Sequence, residues 1–313
     1  MKTAIVYHRV DCDGVFSYAI ARSFELMKPS DEVLPVPWTY GDPLPRFDDI
    51  LKCDRLVMVD VAFPPKTMRE LKAYFGIGAF TWIDHHATAI SDARENGYDD
   101  LDGIREMGRG AVELTWRHYY PVESVPRFVS LLGAYDVWDR SREGLDWETE
   151  TLPFQWGVRE AYDLDAEAVL RDYGSFVHDP SFIAAILADG RKILSYARKT
   201  GANGVETYGF PVSIGIDERP GICCLTSTFG GLAFERVLTR CPGAVAVCVN
   251  RIEPKSRCAK ETYKLSIYAG AVKPGWHIGE YLKEHYGGGG HEGAGGAVIS
   301  REAFIRLVTR RRL

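Results

Sequence analysis

Thr3-Ala4-Ile5-Val6-Tyr7-His8-Arg9-Val10-Asp11-Cys12-Asp13-Gly14 is an apolar run that breaks into a histidine, two aspartates and a glycine. Residues 3–8 form the short hydrophobic stretch expected of a strand buried on both faces of a parallel sheet. Gly14 lets the backbone turn sharply. From Val15 to Met27, Phe16, Ala19, Ile20 and Phe24 then fall at helical spacing, ahead of Pro29. The grammar repeats downstream. Glu32 to Trp38, Leu56 to Val61 and Phe80 to Asp84 read as further strands, with an amphipathic stretch from Pro65 to Phe75 between the last two. Strands alternating with helices predict an α/β fold with an open parallel sheet, whose ligands gather at the carboxyl ends of the strands.

After Ile90 the pattern turns mostly helical. Ser91 to Gly103 is polar, acidic and reads as a loop, whereas Gly110–Tyr120, Val125–Ala134 and Ala166–Arg171 read as helices. Phe182 to Lys199 is a long amphipathic stretch suited to bridging two domains. From Gly209 a second α/β pattern begins, with strands over Phe210–Ile216, Gly221–Thr226, Ala244–Asn250 and Thr262–Tyr268 and helices near Leu232–Arg240 and Ile278–Tyr286. The expected organisation is an N-terminal parallel-sheet domain over residues 1–178, a helical linker over 179–205 and a smaller C-terminal α/β domain over 206–313, with a cleft between the two domains.

Composition narrows the function. With 46% hydrophobic and 26% charged residues, the chain is globular rather than disordered. A net charge of -5 gives no broad polyanion-binding surface, which argues against duplex nucleic acid as a partner. The seven cysteines are odd in number and contain no C-x-x-C pair, so free thiols in a reducing, cytoplasmic setting are expected. No apolar run approaches the ~20 residues of a membrane span, so no membrane role is expected. A homodimer is the base-rate expectation.

Three strand ends deliver carboxylates and imidazoles: His8 with Asp11 and Asp13, then Asp60, then Asp84-His85-His86. Clustered carboxylates repel one another and are tolerated when cations neutralise them. Mixed oxygen and imidazole donors suit hard or borderline divalent ions. Each residue also has a plainer reading. Asp11 and Asp13 can cap the following helix, Asp60 can cap a helix ahead of Pro64-Pro65, and Asp136 can be a helix-end cap. Adjacent histidines on a strand end point to opposite faces, so one can bind metal while the other addresses substrate or supports the ligands from behind. Near the C-terminus, Gly287-Gly288-Gly289-Gly290-His291 offers close backbone approach and free N–H groups, the ingredients of a phosphate-binding nest, or else a flexible linker.

Taken in order, His8/Asp11/Asp13, Asp60, Asp84-His85-His86 and Asp136 resemble the four motifs of the DHH phosphoesterase superfamily. The run from Gly287 to Gly296 resembles the signature of that superfamily's DHHA1 domain. The two-domain build looks most like the oligoribonuclease (nanoRNase) and 3'-phosphoadenosine 5'-phosphate (pAp) phosphatase branch. The resemblance implies two divalent metal ions, Mn²⁺ first, with Mg²⁺ or Co²⁺ as alternatives. His8, Asp11 and Asp60 would hold one ion, and Asp13, Asp60, His85 and Asp136 the other, with Asp60 bridging. His86 would contact the scissile phosphate, and Asp84 would orient its neighbours. Gly288, Gly289, Gly290 and His291 would hold substrate. Relatives commonly carry an Arg near position 268, where this chain has Tyr268, so Tyr268 would stack on a base while Arg251, Lys255 or Arg257 supplies the positive charge. The implied function is exonucleolytic hydrolysis of short single-stranded RNA through two-metal activation of water, with pAp as a further substrate. A phosphodiesterase of cyclic or linear dinucleotides, and a nucleotide-binding regulator without catalysis, are the alternatives.

Overall fold

A computed structural model describes residues 1–26, 32–214, 219–225, 229–253, 260–269, 277–290 and 292–309. The N-terminal part runs β1 (Lys2–His8), α1 (Cys12–Glu25), β2 (Glu32–Trp38), α2 (Phe47–Ile50), β3 (Arg55–Val59), α3 (Pro65–Phe75), β4 (Phe80–Ile83) and α4 (Ala87–Asn96). The four strands form one parallel sheet in the order β2-β1-β3-β4. Alternate residues serve opposite cores. Ile5, Tyr7, Val57, Val59 and Ile83 pack with Val15, Phe16 and Ile20 of α1. Ala4, Val6, Leu56, Met58, Phe80 and Trp82 pack on the other face with Met68, Leu71, Ala89 and Ala93. Because both faces are covered there, β1, β3 and β4 are buried along nearly their whole length rather than at every second position. At the edge, β2 carries Pro35 and Pro37, which lack the N–H that a further strand would pair with.

The strand order places the site. After β2 the chain crosses back over β1 to enter β3, so the connections leaving β1 and β3 diverge. Such a switch point opens a crevice at the carboxyl ends of the two strands. His8 ends β1 and Asp60 follows β3, one on each side of it.

The polar stretch expected to be a loop begins as helix: residues 91–96 are the second half of α4. Only Ala89, Ile90 and Ala93 of α4 are buried, a stripe too narrow to stand out in the sequence. Gly97 ends the helix in the left-handed conformation at φ 70°. Next come α5 (Ala111–Tyr119), α6 (Arg127–Asp136), α7 (Leu152–Tyr162), entered through a π-turn at Trp147–Thr151, α8 (Ala166–Arg171) and α9 (Tyr173–His178). They cover the face of the sheet that α1 occupies.

The helix expected over 182–199 extends over Pro180–Tyr208 as α10. The chain divides into two compact units, Met1–Leu194 and Ser195–Leu313, so the division falls inside α10. The second unit holds β5 (Phe210–Ile214), β6 (Arg219–Leu225), α11 (Glu235–Arg240), β7 (Val245–Ile252), β8 (Thr262–Ala269), α12 (Ile278–Tyr286), β9 (Gly289–Gly290), β10 (Ala294–Ser300) and α13 (Arg301–Thr309). Its sheet has the order β5-β6-β7-β8-β10-β9 and is antiparallel except for the β6–β7 pair. Among the described residues no helix is long and apolar enough to cross a membrane.

Candidate metal centre

The turn from β1 into α1 is held by steric necessity. A Cβ on Gly14 would lie 2.1 Å from the carbonyl oxygen of His8, so the helix starts against the strand end only because residue 14 is glycine. Asp11 then has both its readings at once. Its Oδ1 accepts the Gly14 N–H at 2.9 Å as the N-cap of α1, and its Oδ2 lies 2.8 Å from His8 Nδ1. Asp13 does not cap its own helix. Its oxygens accept the N–H groups of Ala111 at 2.6 Å and Val112 at 2.9 Å, the first residues of α5. A helix N-terminus supplies free N–H groups and a favourable dipole for a buried anion. Gly110 makes this approach fit, because a Cβ there would stand 2.8 Å from Asp13 Oδ1.

Asp60 is not a helix cap either, since α3 starts after Pro64 without any side-chain cap. It is almost wholly buried and adopts φ 60°, the left-handed region that Asp tolerates better than most residues. A backbone bond from its N–H to Ile83 O at 2.9 Å holds it there. Its two oxygens face opposite ways along the crevice. Oδ2 lies 3.4 Å from His8 Nδ1, and Oδ1 lies 3.3 Å from His85 Nε2.

The expectation that His85 and His86 point to opposite faces is not met. The strand ends at Ile83, and the two residues turn into α4 rather than continuing the pleat. Asp84 causes this. Its Oδ1 accepts the N–H of His85 at 2.7 Å, the N–H of His86 at 3.0 Å and His86 Nδ1 at 2.7 Å. Both rings therefore lie on one side, with centroids 4.6 Å apart. His85 Nε2 also stands 3.2 Å from Asp136 Oδ2 and 3.8 Å from Asp13 Oδ2. Asp136 is the last residue of α6, where the helix dipole disfavours a carboxylate, so its position is not explained by helix stability.

Residues far apart in the chain thus converge into overlapping groups: His8, Asp11 and Asp60; Asp60, His85 and His86; Asp13, His85 and Asp136. The ligand atoms of each group lie within 4.8 Å of one another. Several of these polar atoms are left without an aligned hydrogen-bond partner although they are buried: His8 Nδ1, Asp60 Oδ1 and Asp84 Oδ2. Buried polar atoms are ordinarily paired, so these orphans fit a centre built around cations. Carboxylate oxygens with imidazole nitrogens are the donor set of hard to borderline divalent metals.

Protonation follows the same geometry. Burial works against a charged His8, but the Asp11 and Asp60 carboxylates outweigh it and raise its pKa to about 10. His85 is likewise raised to about 10 against its burial, by Asp60, Asp13 and Asp136. Burial and the negative charge of Asp60 push Asp136 up to about 7. Asp13 is also raised, by burial and then by the charges of Asp136 and Asp60. For Asp60 burial is overcome by His8 and His85, and its pKa is lowered.

Two contributors were not singled out in the sequence. Thr39 Oγ1 lies 3.0 Å from His8 Nε2, which leaves Nδ1 facing the carboxylates. The ring of Tyr40 meets both His8 and His86 edge-on. The only signal was position: both follow β2, at the same carboxyl edge as the other ligands.

In the second unit the structure separates residues expected to act together. Arg251 is paired with Glu261 at 3.2 Å and sits opposite Tyr263 in the ladder, whereas Tyr268 sits opposite Ala246 at the other end of the same strand pair. An arginine engaged there does not stand in for one at position 268. Tyr268 pairs with Ala294 next to the glycine segment, its ring against Gly231. Gly287 and Gly288 spend their N–H groups on Lys283 O and Leu282 O, closing α12, while Gly289 and Gly290 pair with Gly296 and Gly295. Half of the amides expected to form a nest are thus used to end a helix. His291, Lys255 and Arg257 lie outside the described residues.

No family model matches the sequence, and no curated protein matches it. Solved structures do. The DHH domain of a member of a family of ribosomal proteins superposes with a TM-score of 0.51 at 15% identity, over 97% of this chain and 85% of that one. An exopolyphosphatase-related protein from Bacteroides fragilis gives 0.50 at 14% identity, over 98% of this chain and 90% of that one. A pGpG-specific phosphodiesterase from Vibrio cholerae gives 0.49 at 14% identity, over 98% and 96%. Fold and site define a class, an α/β protein with a carboxylate–imidazole centre at a sheet switch point. Within that class, the first likeness shows the fold of a DHH domain.

Proposed function

We propose that this protein is a divalent-metal-dependent phosphodiesterase that hydrolyses short oligonucleotides, with Mn²⁺ as the preferred ion and pAp as a further substrate. The observation that carries this reading is the convergence of His8, Asp11, Asp13, Asp60, His85 and Asp136 on one crevice, with His8 Nδ1 and Asp60 Oδ1 buried and without an aligned hydrogen-bond partner. His8, Asp11 and Asp60 would hold one ion, and Asp13, His85 and Asp136 a second, with Asp60 facing both. Divalent ions held there supply Lewis acidity toward the phosphoester and lower the pKa of the attacking water.

The side chains around them do the rest. Thr39 fixes the His8 ring so that Nδ1 faces inward. Asp84 Oδ1 accepts a hydrogen bond from His86 Nδ1, leaving Nε2 for substrate. Burial opposes charge on His86, but Asp84 outweighs it and raises its pKa, which favours the protonated ring toward a phosphate oxygen. At 35% side-chain exposure against 12% for His8 and His85, His86 is the imidazole that substrate reaches first.

A substrate panel in Mn²⁺, Mg²⁺ and Co²⁺ tests the reading: a diribonucleotide, a longer RNA, pAp, a cyclic dinucleotide and inorganic polyphosphate. Fastest turnover of the diribonucleotide, with mononucleotides as products, is expected. Preference for the cyclic compound moves the assignment to a dinucleotide phosphodiesterase. Tight nucleotide binding without turnover in any metal overturns it.

A further inference from the structure

Tyr40 lies on the turn that follows β2, ahead of Gly41 at φ 92°. Its ring stands edge-on to His8, with centroids 5.9 Å apart, and to His86 at 5.8 Å, and it backs onto the buried Trp38 at 5.5 Å. Its hydroxyl accepts the N–H of Ala62 at 3.2 Å, two residues past Asp60. The side chain is thus fixed at both ends, yet the residue is 48% exposed.

We propose that Tyr40 is a substrate-positioning residue whose exposed ring face stacks on the nucleobase of the nucleoside esterified to the scissile phosphate. This rests on the oligonucleotide reading above and narrows it to base-bearing phosphoesters. A phosphate held beside His86 carries its ester substituent past the ring that packs on His86. A tyrosine already locked by Trp38 and Ala62 loses little freedom on stacking, which is how rigid aromatic side chains contribute to binding. Stacking tolerates any base, so the residue selects for a nucleoside and not for a sequence.

The test is kinetic, with a linear diribonucleotide and its two singly abasic analogues in Mn²⁺, for wild type, Tyr40→Phe and Tyr40→Leu. Tyr40→Phe keeps the ring and loses only the contact to Ala62, so its KM stays within about twofold of wild type. Tyr40→Leu raises KM for the dinucleotide by about 10- to 100-fold with kcat within about threefold. On the abasic analogue that lacks the stacked base, wild type already shows the higher KM and Tyr40→Leu adds nothing. If both variants lower kcat alike on every substrate, Tyr40 is a brace for the Asp60–Ala62 segment and the proposal is overturned. An unchanged KM in Tyr40→Leu overturns it too. Should Tyr40→Leu fail to melt cooperatively, Tyr40→Trp decides, since a larger ring must keep or lower KM. If wild type cleaves dinucleotide and both abasic analogues with equal KM, only the role of Tyr40 falls. If it cleaves polyphosphate but no nucleotide, the oligonucleotide reading falls with it.

Discussion

Asp60 concentrates the chemistry of the crevice in one side chain. A buried carboxylate in the left-handed region, facing His8 with one oxygen and His85 with the other, combines backbone strain with an acceptor that lacks an aligned hydrogen bond. Asn tolerates the same backbone conformation and keeps the volume while removing the charge. Asp60→Asn is therefore expected to melt within a few degrees of wild type while Mn²⁺-dependent hydrolysis falls by more than about 100-fold. Near wild-type turnover would sink the two-ion assignment. The raised histidines add a pH dependence. In the metal-free protein His8 and His85, held near 10, contribute stability that is complete below about 6.5 and lost as pH rises toward 10. Cation binding expels those protons, so metal affinity moves oppositely and strengthens across the same window. Calorimetric titration with Mn²⁺ at pH 7.5 in buffers of different ionisation enthalpy should show net proton release. A heat independent of buffer would remove the imidazoles from the ligand set.

The elements that carry these ligands are held by close backbone approaches, most tightly where α1 begins. The atom that a Cβ on Gly14 would strike is the carbonyl oxygen of His8, part of the backbone, so no side chain can yield. Gly14→Ala is expected to cost about 3 kcal/mol. For a unit of this size that lowers Tm by roughly 10 °C and displaces His8. Gly78, whose added Cβ meets nothing within 4 Å, is the control, and Gly78→Ala should change Tm by about 1 °C at most. Equal melting of the two variants in a thermal scan would show that the strand end and helix start can separate at little cost. Asp13 ties a second element to the site, because α5 points its first N–H groups at the carboxylate. The fixing of α5 is thus part of the charge balance of the crevice.

At the scale of the whole chain, every residue of the candidate centre belongs to the first unit, Met1–Leu194. A cation that binds only the folded state stabilises by mass action, about 2.7 kcal/mol at a hundredfold excess over Kd. Mn²⁺ should therefore raise the melting transition of the first unit and leave that of the second where it is, and EDTA should reverse the shift. Hydrogen exchange followed by mass spectrometry separates the two units. Protection gained equally in residues 1–194 and 195–309 would contradict a site confined to the first.

Local pattern in the chain was enough to read the alternation of strands and helices, the parallel sheet and the acidic and histidine residues at the strand ends, because apolar runs and strand-end polarity are local signals, whereas Asp136 stood on the family resemblance. It did not show the second half of α4, whose buried stripe is too narrow for periodicity to reveal. Tertiary packing settled that Asp13 answers to α5, that Asp84 folds His85 and His86 onto one side, and that Thr39 and Tyr40 join them. It also parted Arg251 from Tyr268 by fixing the register of β7 against β8. The reason is physical. Which residues end strands is written locally in hydrophobic pattern, whereas which polar atoms meet depends on strand order and helix approach, and these are fixed only when the cores are packed.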